Sequence, residues 1–227
     1  MTAKGAIFAG IRRSLGTSGA DIARRADVSD RLQRPPKGLI PARGQLDRAG
    51  RVELFVAEAK TVSTTVERVA TAADVPAAIA DYLRSKNLPQ AIRSGADPRL
   101  ASLPWDTEPQ LTVTQGPSKG DDLAGLSHAF AGVAETGTLV LTSGPDNPTT
   151  LAFLPEFHLV VIEAADIAGD YEAVWDRLRA TYGKGEMPRN LNFITGPSRS
   201  GDIEQTILLG AHGPKSLHVI VVEAETP

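Results

Sequence analysis

The sequence has 227 residues and no cysteine, with 24 lysines and arginines against 27 aspartates and glutamates and a formal charge of −3 at pH 7. The missing cysteines exclude disulfides, thiolate zinc sites, Cys-ligated iron–sulfur clusters and cysteine nucleophiles within these residues. Mild acidity without a basic block excludes a general nucleic-acid binder, whose affinity depends on clustered positive charge.

The first 16 residues predict a short amphipathic helix, because Ile7, Phe8, Ile11 and Leu15 share one helical face and Gly16 is a natural stop. The apolar run in this helix is too short for a signal peptide. Later apolar runs have the length of strands and not of membrane spans. We therefore expect a cytoplasmic protein that has no membrane segment.

Residues 17–43 show no persistent period and are rich in proline and glycine. Such a stretch normally runs extended over a surface, so we expect a tethered arm. The alternative is an arm that wraps a neighbouring subunit of a homo-oligomer. We assign residues 1–50 to the N-terminal helix and this arm, and residues 51–227 to the main α/β domain.

From residue 51 onward, helical and strand-like patterns alternate along the chain. The helical patterns have apolar residues at i, i+3 and i+4, and the strand-like runs are short and rich in β-branched residues. Residues 202–209 fit either a helix or a strand. The predicted helices cover residues 52–59, 74–87 and 171–182, and the predicted strands cover residues 62–66, 91–93, 111–114, 157–162, 191–195 and 217–222.

Two strand-like runs in the centre, residues 129–134 and 138–142, flank Glu135 and Gly137 and predict a β-hairpin. Helices that alternate with apolar strands favour a parallel sheet covered on both faces. The predicted fold class is therefore α/β: an open, mainly parallel sheet with helices on both faces, a central β-hairpin, and an N-terminal helix plus extended arm.

Two loops have nearly the same sequence. Residues 115–121 (QGPSKGD) and residues 196–202 (GPSRSGD) each follow a predicted strand and present a glycine turn, a hydroxyl, a cation and an acid. In open α/β sheets, ligands bind beyond the carboxyl ends of the strands. Hydroxyl, cation and backbone N–H groups together make an anion site, although Gly-Pro-Ser is also ordinary turn chemistry. The repetition favours a functional role for the second loop.

Two further residues are candidates for chemistry. Glu135 lies at the tight strand junction and is either a base, a nucleophile or a hydrogen-bond acceptor, or else a solvated turn residue. His212 is flanked by glycines that let backbone approach a ligand, and histidine titrates near neutrality. The other three histidines, His128, His158 and His218, lie in apolar runs and are interpreted as core residues.

Common cofactor signatures are missing. Oxygen and nitrogen donors on His158, His212, Glu135 and Asp202 suit a metal chemically, but no ligand spacing such as H-E-x-x-H supports a site, so we predict none. The sequence also lacks a P-loop, a G-x-G-x-x-G after a strand, and a G-x-S-x-G elbow.

Four blocks in a fixed order resemble the LUD domain of the lactate-utilisation protein C (LutC) family. They are residues 132–141 (GVAETGTLVL), 154–158 (LPEFH), 195–204 (TGPSRSGDIE) and 210–214 (GAHGP), and a final strand follows them. The resemblance implies a sheet of the NagB/RpiA/CoA-transferase-like type. It also implies a role with lactate-utilisation proteins A and B in oxidising L-lactate to pyruvate, with the iron–sulfur clusters on those partner chains and no cofactor in this one.

The family does not supply a settled set of catalytic residues, so the site residues follow from the motifs. We expect a cleft for a small carboxylate or phosphate. The alternative is a free-standing CoA-transferase-like or sugar-phosphate-isomerase-like enzyme that uses Glu135. The candidate catalytic residues are Glu135 and His212, and the candidate anion-binding residues are Thr136, Gly137, Thr138, Gly196, Ser198, Arg199, Asp202, Glu204 and Gly213.

Overall fold

The computed structural model describes residues 2–18, 20–203 and 206–224, with only the backbone of residues 202, 203, 206 and 207. The chain forms two compact units, residues 1–39 and residues 40–227. The sequence placed the division at residue 50. Residues 40–50 group with the larger unit because Gly44 is buried there, so close to Gly169 that a Cβ on Gly44 would lie 2.2 Å from the Gly169 carbonyl oxygen.

The smaller unit contains two helices, α1 (Ala3–Ser14) and α2 (Ile22–Gln33), neither of which buries a residue. Helix α1 confirms the predicted amphipathic helix. The prediction of an extended arm over residues 17–43 is wrong for the stretch that forms α2. That helix starts because the Asp21 carboxylate accepts the backbone N–H of Arg24 at 3.0 Å, and an Asp30–Arg34 ion pair supports its end.

The larger unit contains four further helices and twelve strands within the described residues. The helices are α3 (Arg48–Thr61), α4 (Val75–Ser85), α5 (Pro98–Ala101) and α6 (Tyr171–Tyr182). The strands are β1 (Thr65–Val69), β2 (Ala91–Ser94), β3 (Thr112–Gln115), β4 (Ala124–His128), β5 (Ala131–Val133), β6 (Thr138–Thr142), β7 (Phe157–Glu163), β8 (Ile167–Ala168), β9 (Leu191–Ile194), β10 (Arg199–Ile203), β11 (Thr206–Leu209) and β12 (Ser216–Val222).

Six strands form an all-parallel main sheet in the order β1-β12-β7-β4-β2-β3. Side chains alternate across it, so Leu159 and Val161 pack on the face of α4 and α5, whereas Val160 and Ile162 pack on the face of α3. Strand β4 was not predicted from the sequence, because Ala124–His128 lacks the β-branched residues typical of a strand.

A second sheet with the order β8-β5-β6-β9 covers part of the α3 face. The predicted hairpin is confirmed as the antiparallel pair β5–β6, but it belongs to this second sheet and not to the main one. Leu139 and Leu141 face the main sheet, and Val140 faces α6. The prediction of helices on both faces therefore holds only in part, since α3 shares its face of the main sheet with these strands.

The segment that fitted either a helix or a strand is a short ribbon. Strands β10 and β11 pair in antiparallel register, with a bulge between Ser200 and Ile203.

Candidate functional site

A cavity of about 420 Å³ opens between the two sheets, and we call it the main cavity. It lies at the amino ends of β7 and β12, where His158 and Leu217 are second in their strands, and at the carboxyl end of β9. The main cavity thus lies where the loop after the predicted strand 191–195 was expected to place a ligand, but that strand belongs to the second sheet, and on the main sheet the cavity lies at the amino ends of the strands. Its lining comprises residues 152–153, His158, residues 191–199, residues 212–214 and Leu217.

Two loops that the sequence singled out separately meet over the main cavity. The backbone N–H of Ser198 donates to the Pro214 carbonyl at 2.8 Å, and the N–H of Gly210 donates to the Ser198 carbonyl at 3.0 Å. The N–H of His212 donates to Ser198 Oγ at 3.3 Å. Residues 196–199 and 210–214 thus form one hydrogen-bonded rim.

Glycine is required at position 196 of this rim. Gly196 has φ +85°, and a Cβ there would lie 2.5 Å from the Val62 carbonyl oxygen. A side chain would be strained by the positive φ and would also push the loop away from the end of α3.

The rim carries a cation and a second hydrogen-bonding side chain. Arg199 is exposed, and its Nη2 donates to Ser63 Oγ at 2.8 Å, which holds the guanidinium at the edge of the cavity. His212 is exposed on the facing loop, and Gly213 lies beside Ser198. A second, more open cavity of about 600 Å³ shares His212 and Gly213 with the main cavity.

The floor contains a buried histidine that the sequence analysis interpreted as core. His158 is 1% exposed, its Nε2 lies 3.0 Å from Ser127 Oγ, and its ring also lines the main cavity. Burial lowers its pKa to about 3, so the imidazole is neutral at physiological pH. The signal that pointed to it was weak: a single histidine near the start of an apolar strand.

The other two strand histidines are buried and line none of the cavities described here, as expected of core residues. His218 stacks on Tyr82 at 4.1 Å, and its Nδ1 lies 2.8 Å from Thr65 Oγ1. Burial lowers the pKa of His218 to about 4. Burial also lowers the pKa of His128, whose Nδ1 lies 2.9 Å from the Ala129 carbonyl oxygen.

Glu135 lies apart from the lining of the main cavity. Its side chain is buried at the start of α6, where Oε1 accepts the backbone N–H of Tyr171 at 3.4 Å. Its own N–H donates to the Gly169 carbonyl at 3.2 Å. Gly137 has φ +61° and packs so closely on α3 that a Cβ would lie 2.2 Å from the Ala59 nitrogen. These contacts make the Glu135–Gly137 turn a packing element between α3 and α6.

A chain of hydroxyls joins this turn to the cavity wall. Thr138 is fully buried, and its Oγ1 lies 2.7 Å from Thr136 Oγ1, 3.1 Å from the Tyr171 hydroxyl and 2.7 Å from Thr195 Oγ1. Of these residues, Thr195 lines the main cavity. Thr136 and Thr138 therefore stand behind the wall and not in it.

The side chains of the two remaining candidate residues, Asp202 and Glu204, are not described by the structure. Asp202 is described by its backbone alone, in β10, and Glu204 lies outside the described residues. Among the described residues, no three His, Asp or Glu side chains come together as a metal site. Within the same residues, no helix is long and apolar enough to cross a bilayer.

The first of the two similar loops lies elsewhere. Residues 116–121 follow β3, at the edge of the main sheet, and Asp121 borders a small cavity of about 190 Å³. That cavity also contains the ion pair between Arg93 and Asp122, whose Nε and Oδ1 are 2.9 Å apart.

Comparisons with known proteins agree with the motif-based resemblance. Residues 52–222 match the family described as the LUD domain. Lactate utilization protein C of Halalkalibacterium halodurans is 36% identical over 120 residues, covering 52% of this chain and 51% of that protein. The uncharacterized protein YkgG of Escherichia coli is 29% identical over 192 residues, covering 79% of this chain and 82% of that protein.

A crystal structure of a DUF162 family protein from Deinococcus radiodurans has the same fold, with a TM-score of 0.61 and 25% identity over 78% of this chain and 99% of that chain. The resemblance to the LUD domain and the α/β class are thereby confirmed. Alignments to lactate utilization protein C span about half of the relatives' length, as in the Halalkalibacterium protein.

Proposed function

This chain belongs to the LUD domain family, and from that membership we propose that it is the non-redox subunit of a system that oxidises L-lactate to pyruvate. Relatives named lactate utilization protein C support a role in lactate utilisation. The absence of cysteine in the sequence supports a subunit without redox centres, because a Cys-ligated cluster must then be bound by another chain. The expected partners are lactate-utilisation proteins A and B, which would carry the iron–sulfur clusters.

The role of this chain in that system is to bind an organic anion. The observation that carries the proposal is the joining of the Arg199 loop and the His212 loop over one cavity. A guanidinium offers five N–H donors in a planar fork that matches a carboxylate or phosphate. Among the residues whose side chains are described, Ser63 uses one of these donors, and the others can orient the anion at the rim.

The alternative enzyme, with Glu135 as nucleophile or base, is less well supported by the geometry. The Glu135 carboxylate accepts a backbone N–H at the start of α6 and is buried in the packing between two helices. A nucleophile needs an approach path for its substrate, and none of the cavities described here reaches this side chain.

The test is reconstitution with the partner chains. This chain is co-expressed with lactate-utilisation proteins A and B, and lactate-dependent reduction of a dye is measured with and without it. We expect the three chains to co-purify and the activity to depend on this chain. The Glu135→Gln variant should retain the activity, because the amide still accepts the Tyr171 N–H.

Two results would contradict the proposal. One is full lactate oxidation by the partner chains alone. The other is thioester exchange or sugar-phosphate isomerisation by the isolated chain that disappears in Glu135→Gln, which would establish the alternative.

A further inference from the structure

The apolar contact between the two sheets is interrupted by polar side chains at one end. Along most of this contact the facing residues are aliphatic, such as Val160, Val219 and Leu141. At the amino ends of β7 and β12 the layer instead holds His158 on the main sheet and Asn192 on β9, and the space between them is the main cavity. His158 is buried and Asn192 is half-buried, and both line this space, so their polar groups are placed to meet a ligand.

Their hydrogen-bonding capacity is largely unused within the described part of the chain. A neutral imidazole offers one donor and one acceptor nitrogen, and Ser127 engages only Nε2 of His158, at 3.0 Å. The Nδ1 atom of His158 and the side-chain amide of Asn192 have no hydrogen-bond partner among the described residues. The floor therefore offers an uncharged set of donors and acceptors, which suits an amide or a nucleobase edge better than an anion.

The size of the cavity points in the same direction. Lactate has six non-hydrogen atoms, and at no more than about 30 Å³ each, the share of a water molecule, it would fill less than half of the main cavity. A volume of 420 Å³ lies in the range of sites for larger organic ligands. Ile194 and Leu217 supply apolar walls from the two sheets.

We propose that the main cavity binds an organic anion of mononucleotide size, with its phosphate at the Arg199 rim and an uncharged, hydrogen-bonding ring at the His158 floor. This inference rests on the main cavity being the anion site of the proposed function, and it specifies what the anion is attached to. The ring is held between the two sheets, and the rim selects for negative charge.

Isothermal titration calorimetry of the full chain tests this with AMP, GMP, CMP and UMP, and separately with the four nucleosides, inorganic phosphate and lactate. We expect at least one mononucleotide to bind at least tenfold more tightly than its nucleoside, phosphate or lactate. His158→Gln and Asn192→Leu should each weaken that binding at least tenfold and leave phosphate binding unchanged. If His158→Gln does not fold, Ser127→Ala replaces it as the test, because Ser127 is the hydrogen-bond partner that holds the His158 ring. We expect the same loss of mononucleotide binding in that variant.

The matched control is His218→Gln. His218 is also a buried histidine with a lowered pKa, one position further along the neighbouring strand, but it faces Tyr82 and not the main cavity. We expect mononucleotide binding to be unchanged in this variant.

Two failures are distinguishable. If no mononucleotide binds more tightly than phosphate, while phosphate binding still depends on Arg199, the mononucleotide proposal is wrong and the anion site of the proposed function is retained. If Arg199→Ala changes the binding of no anion in the panel, the anion site itself falls, and the inference falls with it.

Discussion

The two Gly-Pro-Ser loops are nearly identical in sequence and different in surroundings. In the first loop, Ser118 is buried, and its Oγ accepts the N–H of Gly120 two residues away, at 3.2 Å. In the second, Ser198 Oγ accepts the N–H of His212, fourteen residues away on another loop. The first copy of the motif therefore hydrogen-bonds only within its own turn in this contact, at the edge of the main sheet. The second copy joins the His212 loop over the main cavity.

The difference shows that a short motif supplies the local turn but not the site. Lys119 and Arg199 both follow the serine, and both are exposed. The second loop differs in what faces it: the His212 loop at the rim and His158 at the floor. By contrast, the first loop ends beside a smaller cavity that is lined by Asp121 and by the ion pair between Arg93 and Asp122.

The largest difference is expected when the two cations are removed. A charge-assisted hydrogen bond is typically worth about 1.5–3 kcal/mol, so Arg199→Ala should weaken anion binding roughly ten- to a hundredfold. Lys119→Ala should leave it unchanged. Titration calorimetry of both variants measures the effect, and equal losses of affinity would show that the two loops do not differ in function.

The next largest effect is expected from the two turn glycines. Gly196 and Gly116 both have positive φ, +85° and +126°, but a Cβ would meet the Val62 carbonyl oxygen only at position 196. We expect Gly196→Ala to lower the free energy of unfolding by about 1–3 kcal/mol more than Gly116→Ala does. Urea unfolding of the two variants checks this, and equal losses would contradict the close approach of the second loop to α3.

A third prediction concerns pH, because only the second loop lies over a buried histidine. The pKa values of His158 and His218 are lowered from 6.5 to about 3 and about 4. Between about pH 6.5 and pH 4 the unfolded chain binds protons that the folded chain does not. The free energy of unfolding therefore falls with decreasing pH, by up to about 1.4 kcal/mol per unit for each histidine.

The measurement for this third prediction is urea unfolding across that pH range. His158→Gln should remove about half of the slope that the two histidines contribute. A slope unchanged from the wild type would mean that His158 is not held neutral beneath the second loop.

The smallest effects are expected from the two serines. Ser118→Ala and Ser198→Ala should each cost about 0.5–1.5 kcal/mol of stability, the usual contribution of one hydrogen bond. The Ser198→Ala variant should in addition weaken anion binding by about twofold to tenfold, because it releases the His212 loop. Titration calorimetry of both variants measures the anion binding, and weaker anion binding in Ser118→Ala would contradict the assignment of the anion site to the second loop alone.

Most of the fold could be predicted from sequence, because periodicity reports burial. The apolar run at 157–162 and the stripe on α6 gave correct elements for this reason. Strand β4 was missed, since residues such as Ala124 and Gly125 have low strand propensity and are held by neighbouring strands on both sides. The placement of the hairpin in a second sheet depends on contacts with α3 and α6 that no local pattern encodes.

The candidate site was predictable only at its rim. Gly196, Ser198, Arg199, His212 and Gly213 carry glycine, hydroxyl and charge in loops, a combination that sequence reasoning recognises. The floor was not predictable, because His158 and Asn192 lie within strands and meet only when the two sheets pack together. The position of Glu135 likewise depends on α6, which follows it in the chain and covers it.

The place of β12 in the main sheet has a consequence for how the protein is made. This strand separates β1 from β7, and Thr65 contacts His218 across 153 residues of sequence. Before residues 216–222 leave the ribosome, β1 has no neighbour in the sheet and β7 exposes an open edge, the kind of surface that leads to misassembly. From the end of β1 at Val69 to the end of β12 at Val222 the ribosome adds 153 residues. At about 5–20 residues per second β1 therefore waits roughly 8–30 s for its neighbour, so the main sheet closes only once translation has passed β12.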